Sequence, residues 1–305
     1  MVRPFRFGVQ ARVLDDRDAL VATARQVEQL GYAELFSYDH IGAVDPFVPL
    51  VVAAEATERL RIGPLVINNE LHHPALLART AATVDRLSSG RLILGLGTGY
   101  AQDEHDAAGI ELRPPGPRVD RFVESIEVLR SLLDDGSCHH EGTHHRVAID
   151  ELGVRPVQAR VPFLIGGHGR RVVEIAGRHA DIFQYTGLTH GAGGAPSAGG
   201  FDTAALDLRT RWLEEAAGDR IDDIERSALV QLTRIGPDVG GQLAELADRF
   251  GVPPEVIEST PFVLLGSVEQ VIDQLERQRE RFGISHVVVR DAEGFAPVAE
   301  ALTGR

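Results

Sequence analysis

Short apolar runs alternate with amphipathic stretches along almost the whole chain. Runs at Phe5–Val9, Ala33–Ser37, Arg61–Ile67, Leu92–Leu96, Val161–Ile165, Asp181–Tyr185, Ala228–Leu232 and Val287–Arg290 read as strands. Between them a 3.6-residue apolar period predicts helices over Arg17–Leu30, Pro49–Arg59, Pro74–Leu87, Arg118–Leu133, Arg170–His179, Thr203–Ala217, Gln242–Phe250 and Val268–Phe282. Gly31 and Gly283 stand just past the first helix and the last long one, where a left-handed cap belongs. Leu92-Ile93-Leu94 and Val287-Val288-Val289 are apolar at consecutive positions, as strands buried on both faces must be. Eight strand–helix units without a linker predict one α/β domain over residues 1–305, a (β/α)8 TIM barrel, with an open doubly wound sheet as runner-up.

Three insertions interrupt the alternation, after strands 4, 6 and 7. Asp134–Arg160 is long and rich in turn residues. Thr186–Phe201 is mostly Gly, Ala, Ser and Pro, and its place after the sixth strand predicts a cover over the C-terminal face, where barrel active sites lie. Pro237–Thr260 has a helical pattern and precedes Val263–Gly266.

Composition narrows the class. The charge of −14 disfavours phosphate backbones and anionic membranes, so neither nucleic acid nor a membrane is an expected partner. No apolar run approaches the ~18 residues of a membrane span, and the first eight residues lack the apolar segment of a signal peptide. Cys138 is the single cysteine, which excludes an internal disulfide and a thiolate metal cluster and suits the cytoplasm. All 31 basic residues are arginines. With no lysine there is no Schiff base, no pyridoxal-phosphate anchor and no P-loop amine.

Several motifs bear on chemistry. His140-Glu141-Gly142-Thr143-His144 matches the zinc-protease pattern, but Gly136 and Gly142 disfavour the helix that pattern needs; a solvated hairpin is the better reading, and no metal site is expected. Gly95-Leu96-Gly97-Thr98-Gly99 follows a strand but has Gln102 where the dinucleotide fingerprint wants its third glycine, so it reads as a place where backbone nears a flat ligand. Gly166-Gly167-His168-Gly169-Arg170-Arg171 joins a strand to a helix, either as a seat for a phosphate with two arginines adding charge or as a plain tight turn. Asp39-His40 ends the second strand unit, as a proton-transfer pair or as a helix cap with a loop histidine. Asn68, Asn69 and Glu70 after the third strand, and Tyr100 with Asp103-Glu104-His105 after the fourth, put further polar groups on the same rim; Asp103 and Glu104 read equally as helix-start residues.

In combination these segments resemble the luciferase-like monooxygenase superfamily. The resemblance covers nearly the whole chain and rests on Ser37-Tyr38-Asp39-His40, His73-Pro74-Ala75-Leu76-Leu77-Ala78-Arg79, Leu87-Ser88-Ser89-Gly90-Arg91 with Gly95–Gly99, Ile165-Gly166-Gly167, Ala176-Gly177-Arg178 and His286-Val287-Val288-Val289. The Asp-His pair is similar to that of the branch using the deazaflavin coenzyme F420; FMN-dependent members tend to have Glu-His there. The resemblance implies an oxidoreductase that moves a hydride between the deazaflavin and a small organic substrate. It implies His40 as proton-transfer residue, with Asp39 placing the coenzyme or the imidazole. Val66, Asn68 and Asn69 would lie at the ring, Gly99 and Tyr100 beside it, and Gly166, Gly167 and His168 at the coenzyme phosphate. It further implies a non-proline cis peptide within Leu65–Ile67 and a homodimer. An FMN-dependent monooxygenase using oxygen, and a non-catalytic flavin carrier, are the alternatives. Tyr100 stands where the sugar-phosphate dehydrogenases of that branch have Glu, and the lysines they use are missing, so glucose 6-phosphate is not the expected substrate.

Overall fold

The computed structural model describes residues 3–190, 196–236 and 240–305. Its centre is a ring of parallel strands: β1 (Arg6–Gln10), β2 (Glu34–Ser37), β3 in two pieces (Arg61–Pro64 and Ile67–Asn68), β4 (Leu94–Gly97), β5 (Phe163–Gly167), β6 (Ile182–Tyr185), β7 (Glu225–Leu229) and β8 (Ile284–Val289). The first piece of β3 pairs with β2 and the second with β4, while β8 pairs with both β7 and β1, so the barrel closes. Around it run α1 (Arg17–Gln29), α2 (Val48–Glu55), α3 (Pro74–Leu87), α4 (Gln102–Ala108), α5 (Pro115–Arg130), α6 (Arg170–His179), α7 (Thr203–Ala217), α8 (Gly240–Phe250), α9 (Pro254–Ser259), α10 (Val268–Phe282) and α11 (Ala292–Leu302). The barrel read from the sequence is the fold.

Period-two alternation sorts each strand into a helix-facing row and a lumen-facing row. On β1, Phe7 turns outward against Phe295 of α11, with ring centroids 5.4 Å apart. Arg6, Gly8 and Gln10 turn inward at successive heights. The lumen is filled at mid-height by Phe36, Leu65, Ile93, Leu164, Ile182 and Val288, contributed by six of the strands or their immediate ends. Above this apolar layer the lumen becomes polar, and there the site begins.

Strand starts and one helix need correction: β8 begins at Ile284, three residues before the run read as Val287–Arg290. β7 begins at Glu225, three residues before the run read from hydropathy, because Glu225 and Ser227 face the lumen and pair there rather than meeting solvent. Helix α4 takes up the helix-start reading of Asp103 and Glu104, both in its first turn, while α11 was not anticipated. The first is a single short element, and the second carries Pro297 in its interior, starting instead from an Asp291 cap on the Gly294 N–H.

The insertions fall after β4, β6 and β7 as read. The zinc-like segment is an antiparallel hairpin, Cys138–Glu141 against Arg146–Ile149. Glu124 of α5 closes its turn, accepting the N–H groups of Thr143, His144 and His145 at 2.9 Å each. Burial alone would raise that carboxyl, but these three donors hold it down to about 2. Beside it, burial, with help from Arg121 and His73, pushes the His145 imidazole down to about 4. Both shifts act in the same direction. The unfolded chain takes up a proton at His145 below pH ~6.5 that the folded protein refuses until about 4, so stability falls across that window as pH drops. Glu124 adds a second loss between about 4.5 and 2. Thermal melts should show a falling Tm from pH 6.5 to 4, with a shallower slope in His145→Gln; a flat Tm over that range would contradict the assignment.

Of the long segment after β6, Thr189–His190 pairs with Pro196–Ser197, and residues 191–195 lie outside the described residues. Its base is fixed by Arg209, which donates to the Thr186 and Gly200 carbonyls at 2.8 Å each.

Candidate active site

At the C-terminal mouth of the barrel is a cavity of about 770 Å³. It falls within the range of small-molecule and cofactor sites. Its wall includes every residue singled out from the sequence for the site: Asp39, His40, Val66, Asn68, Gly99, Tyr100, Gly166, Gly167 and His168. Of the other residues read as rim groups, Glu104 lines the cavity, whereas Asn69, Glu70, Asp103 and His105 do not, Glu70 pairing instead with Arg113 and Arg121. Asn69 is the one of these offered for the ring. It is buried below the cavity, and its carbonyl accepts a hydrogen bond from Arg121.

The floor is made by the break in β3, where the Leu65–Val66 peptide is cis. Gln10 donates to the Leu65 carbonyl at 3.1 Å. The Val66 side chain lies over the backbones of β4 and β5, and a Cβ added at Gly97 would stand 2.7 Å from it. Gly99 has φ +81, and a side chain there would meet the Asn68 amide oxygen at 2.0 Å, so both glycines are required for this close approach. Asn68 is committed on all sides. Its N–H donates to Asp39 Oδ2 at 2.9 Å, its amide oxygen accepts from the Glu70 N–H, and its amide nitrogen donates to His105 Nε2 at 3.0 Å.

The histidine at the end of β2 is held differently from the sequence-level reading. Asp39 does not touch the His40 ring; its carboxylate takes the Asn68 N–H and His72 Nε2, each at 2.9 Å. Glu104, in the first turn of α4, contacts His40 Nδ1 at 2.6 Å and accepts the Ile41 N–H at 3.0 Å. An ionised carboxylate only accepts, so Nδ1 carries the proton and Nε2 is left basic toward the cavity. Tyr100 lies there, its hydroxyl 3.3 Å from Nε2. Withdrawal from water, then the Glu104 and Asp103 charges, hold the Tyr100 hydroxyl above its ordinary range, with Arg290 pulling the other way. Tyr100 therefore remains a donor at neutral pH. The result is a chain Glu104–His40–Tyr100 at the cavity edge, which can store, release or relay one proton.

Across the mouth, Gly166 and Gly167 lead into the N-terminus of α6 with no side-chain cap, leaving backbone N–H groups for an anion. The arginine pair expected to reinforce them does not do so: Arg170 pairs with Glu174 at 2.8 Å, and Arg171 with Asp120. The nearby cation on the cavity wall is Arg118 of α5, whose Nε is buried without a partner among the described residues. Gln10, Gln231, Arg12 and Arg290 complete the wall on the side of β1 and β8. None of these five was found from sequence, since each stands alone in its segment and only barrel closure gathers them.

A model described as luciferase-like monooxygenase matches residues 2–197. An F420-dependent glucose-6-phosphate dehydrogenase of Amycolatopsis mediterranei is 29% identical over 238 residues, 74% of this chain and 68% of that one. Several other curated relatives are matched over 48–56% of their length and another over 66%. The F420-dependent tetrahydromethanopterin reductase of Methanopyrus kandleri superposes with a TM-score of 0.77 at 20% identity, over 98% of both chains. An F420-dependent secondary alcohol dehydrogenase gives 0.78 at 18% identity, over 98% of this chain and 99% of that one. These two share the fold.

Proposed function

The chain belongs to the luciferase-like monooxygenase family, and from that premise we propose that it is an F420-dependent oxidoreductase acting on a small organic substrate. The carrying observation is the Glu104–His40–Tyr100 chain at the edge of a cavity of cofactor-site size. The names of relatives such as the Amycolatopsis dehydrogenase support the coenzyme assignment.

The residues present suit such a group. The Val66 floor and the glycine wall offer a flat apolar surface, and the uncapped start of α6 beside Gly166, Gly167 and His168 suits a phosphate, with Arg118 at its flank. When bound, the deazaflavin supplies two-electron hydride exchange with the substrate carbon. The protein's part is the accompanying proton. His40 Nε2 takes it from, or returns it to, the substrate heteroatom; Glu104 keeps the ring in the required tautomer and stabilises the cation that forms; Tyr100 fixes the ring edge. Asp39 holds the Asn68 backbone and His72 against the floor. A cytoplasmic homodimer completes the proposal.

The test is a fluorescence-quenching titration of the purified protein with F420 and, separately, FMN. Micromolar or tighter binding of F420, weaker binding of FMN and a loss of about tenfold or more in Gly166→Asp are expected. Gly166 is the better probe than Gly167. A Cβ there makes only ordinary contacts at 3.6–3.7 Å, whereas at Gly167 it would strike Val172 at 2.4 Å. Preference for FMN would move the chemistry to oxygen.

A further inference from the structure

Arg290 leaves the end of β8 and enters the cavity wall half-buried. Its Nε donates to Gln10 Oε1 and its Nη1 to Gln231 Oε1, each at 2.9 Å. Both glutamines are themselves fixed: Gln10 also donates to the Leu65 carbonyl, and Gln231 to the Leu229 carbonyl. Neutral amides thus orient the guanidinium without cancelling its charge. Among the described residues no carboxylate forms an ion pair with Arg290 or with Arg12, which lies on the same stretch of wall. A partly desolvated cation on a cavity wall without a counter-charge is costly unless a ligand supplies one. Three of the five guanidinium N–H groups remain for that ligand.

Position separates this cation from the phosphate loop. In the eight-membered ring β1 stands four strands from β5 and β8 three, so Arg12 and Arg290 lie on the far side of the mouth from Gly166–Gly167. Arg290 also lies within electrostatic reach of Tyr100, which contacts His40. A ligand group on Arg290 would hold the rest of its molecule beside the proton-transfer histidine, on the side away from the α6 N-terminus.

Building on the F420-dependent reading above, we propose that the substrate carries an oxyanion, carboxylate or phosphate, seated on Arg290 with Arg12 beside it. The guanidinium fork makes paired, charge-assisted hydrogen bonds to either group, and the Gln10–Leu65 contact ties that seat to the floor on which the coenzyme would rest.

The experiment titrates inorganic phosphate and, separately, succinate into the protein by calorimetry, with F420 first saturating and then omitted. Coenzyme binding is read independently by fluorescence. With F420 present, wild type should bind at least one probe, and Arg290→Gln should weaken it by about tenfold or more while F420 affinity stays within about twofold. The stronger probe identifies the oxyanion. Arg12→Glu, at an exposed position, should weaken the same probe and keeps the test open if Arg290→Gln does not fold. Normal F420 binding with no probe binding, or with probe binding indifferent to both substitutions, would overturn the anion seat and leave the coenzyme reading standing. Arginine-dependent probe binding in a protein that does not bind F420 would support the seat and remove the coenzyme reading.

Discussion

His40→Ala should lower kcat by about 10²–10⁴-fold, the usual contribution of a positioned acid–base group, while the affinity for F420 changes little. The expectation follows from where the imidazole sits. Its Nδ1 is occupied by Glu104 at 2.6 Å, and only Nε2, beside the Tyr100 hydroxyl, is directed toward the cavity. Glu104→Gln separates the two contributions of the pair. The amide keeps the shape but offers a weaker, neutral acceptor, so the ring loses its fixed tautomer and the cation loses its counter-charge. Turnover should fall less than in His40→Ala, KM should stay near wild type, and the kcat–pH profile should move, with Glu104→Asp recovering part of the loss. Unchanged turnover in His40→Ala would remove the histidine from the mechanism. A KM effect without a kcat effect in Glu104→Gln would make that carboxylate a purely structural partner of Ile41.

The barrel was legible because both of its periods are written along the chain. The Val287–Val289 run of β8 is apolar on both faces, and helices such as α3, α6, α7 and α10 begin and end where the pattern places them. Ser267 and Gln270 form a reciprocal cap at the start of α10, and Gly283 at φ +70 ends it. The rim glycines and Asp39-His40 were legible for a related reason: each is locally odd for its element. Arg170 and Arg171 show the opposite case. Two arginines beside a glycine loop look like an anion seat, but their reach carries them to Glu174 and Asp120, which sequence proximity to the loop does not reveal. Glu104 is a plain first-turn helix carboxylate until α4 folds back over β2. Gln10, Gln231 and Arg290 are ordinary singly, because the polar contacts joining them cross 59 to 280 positions of sequence.

The same closure explains the largest stability effect expected anywhere in the chain, at the opposite end of the lumen. Arg6 forms ion pairs with Glu34 and Glu225, its Nε lying 3.2 Å from Glu225 Oε1, and His286 Nε2 approaches Glu34 Oε2 at 3.3 Å. Glu34 and His286 are fully buried. Burial works against the Arg6 charge, but the two carboxylates outweigh it and hold its pKa above the ordinary value. Arg6→Leu would leave both carboxylates in the barrel without their shared cation, a change that costs about 3–5 kcal/mol when one member of a buried ion pair is removed. Net stabilities are only about 5–15 kcal/mol, so the variant should be marginal, with a clearly lower midpoint in urea. Adding Glu34→Gln and Glu225→Gln should restore part of the loss, since amides need no counter-charge. Recovery in the triple variant would identify stranded charge as the cause, whereas further loss would point to the shape of the side chains. Because the apolar layer of Phe36, Leu65 and Val288 lies between this cluster and the mouth, kcat measured well below the melting transition should be close to wild type in any variant that folds. A loss under about 1 kcal/mol in Arg6→Leu would mean that water reaches the carboxylates and screens them as it screens a surface pair.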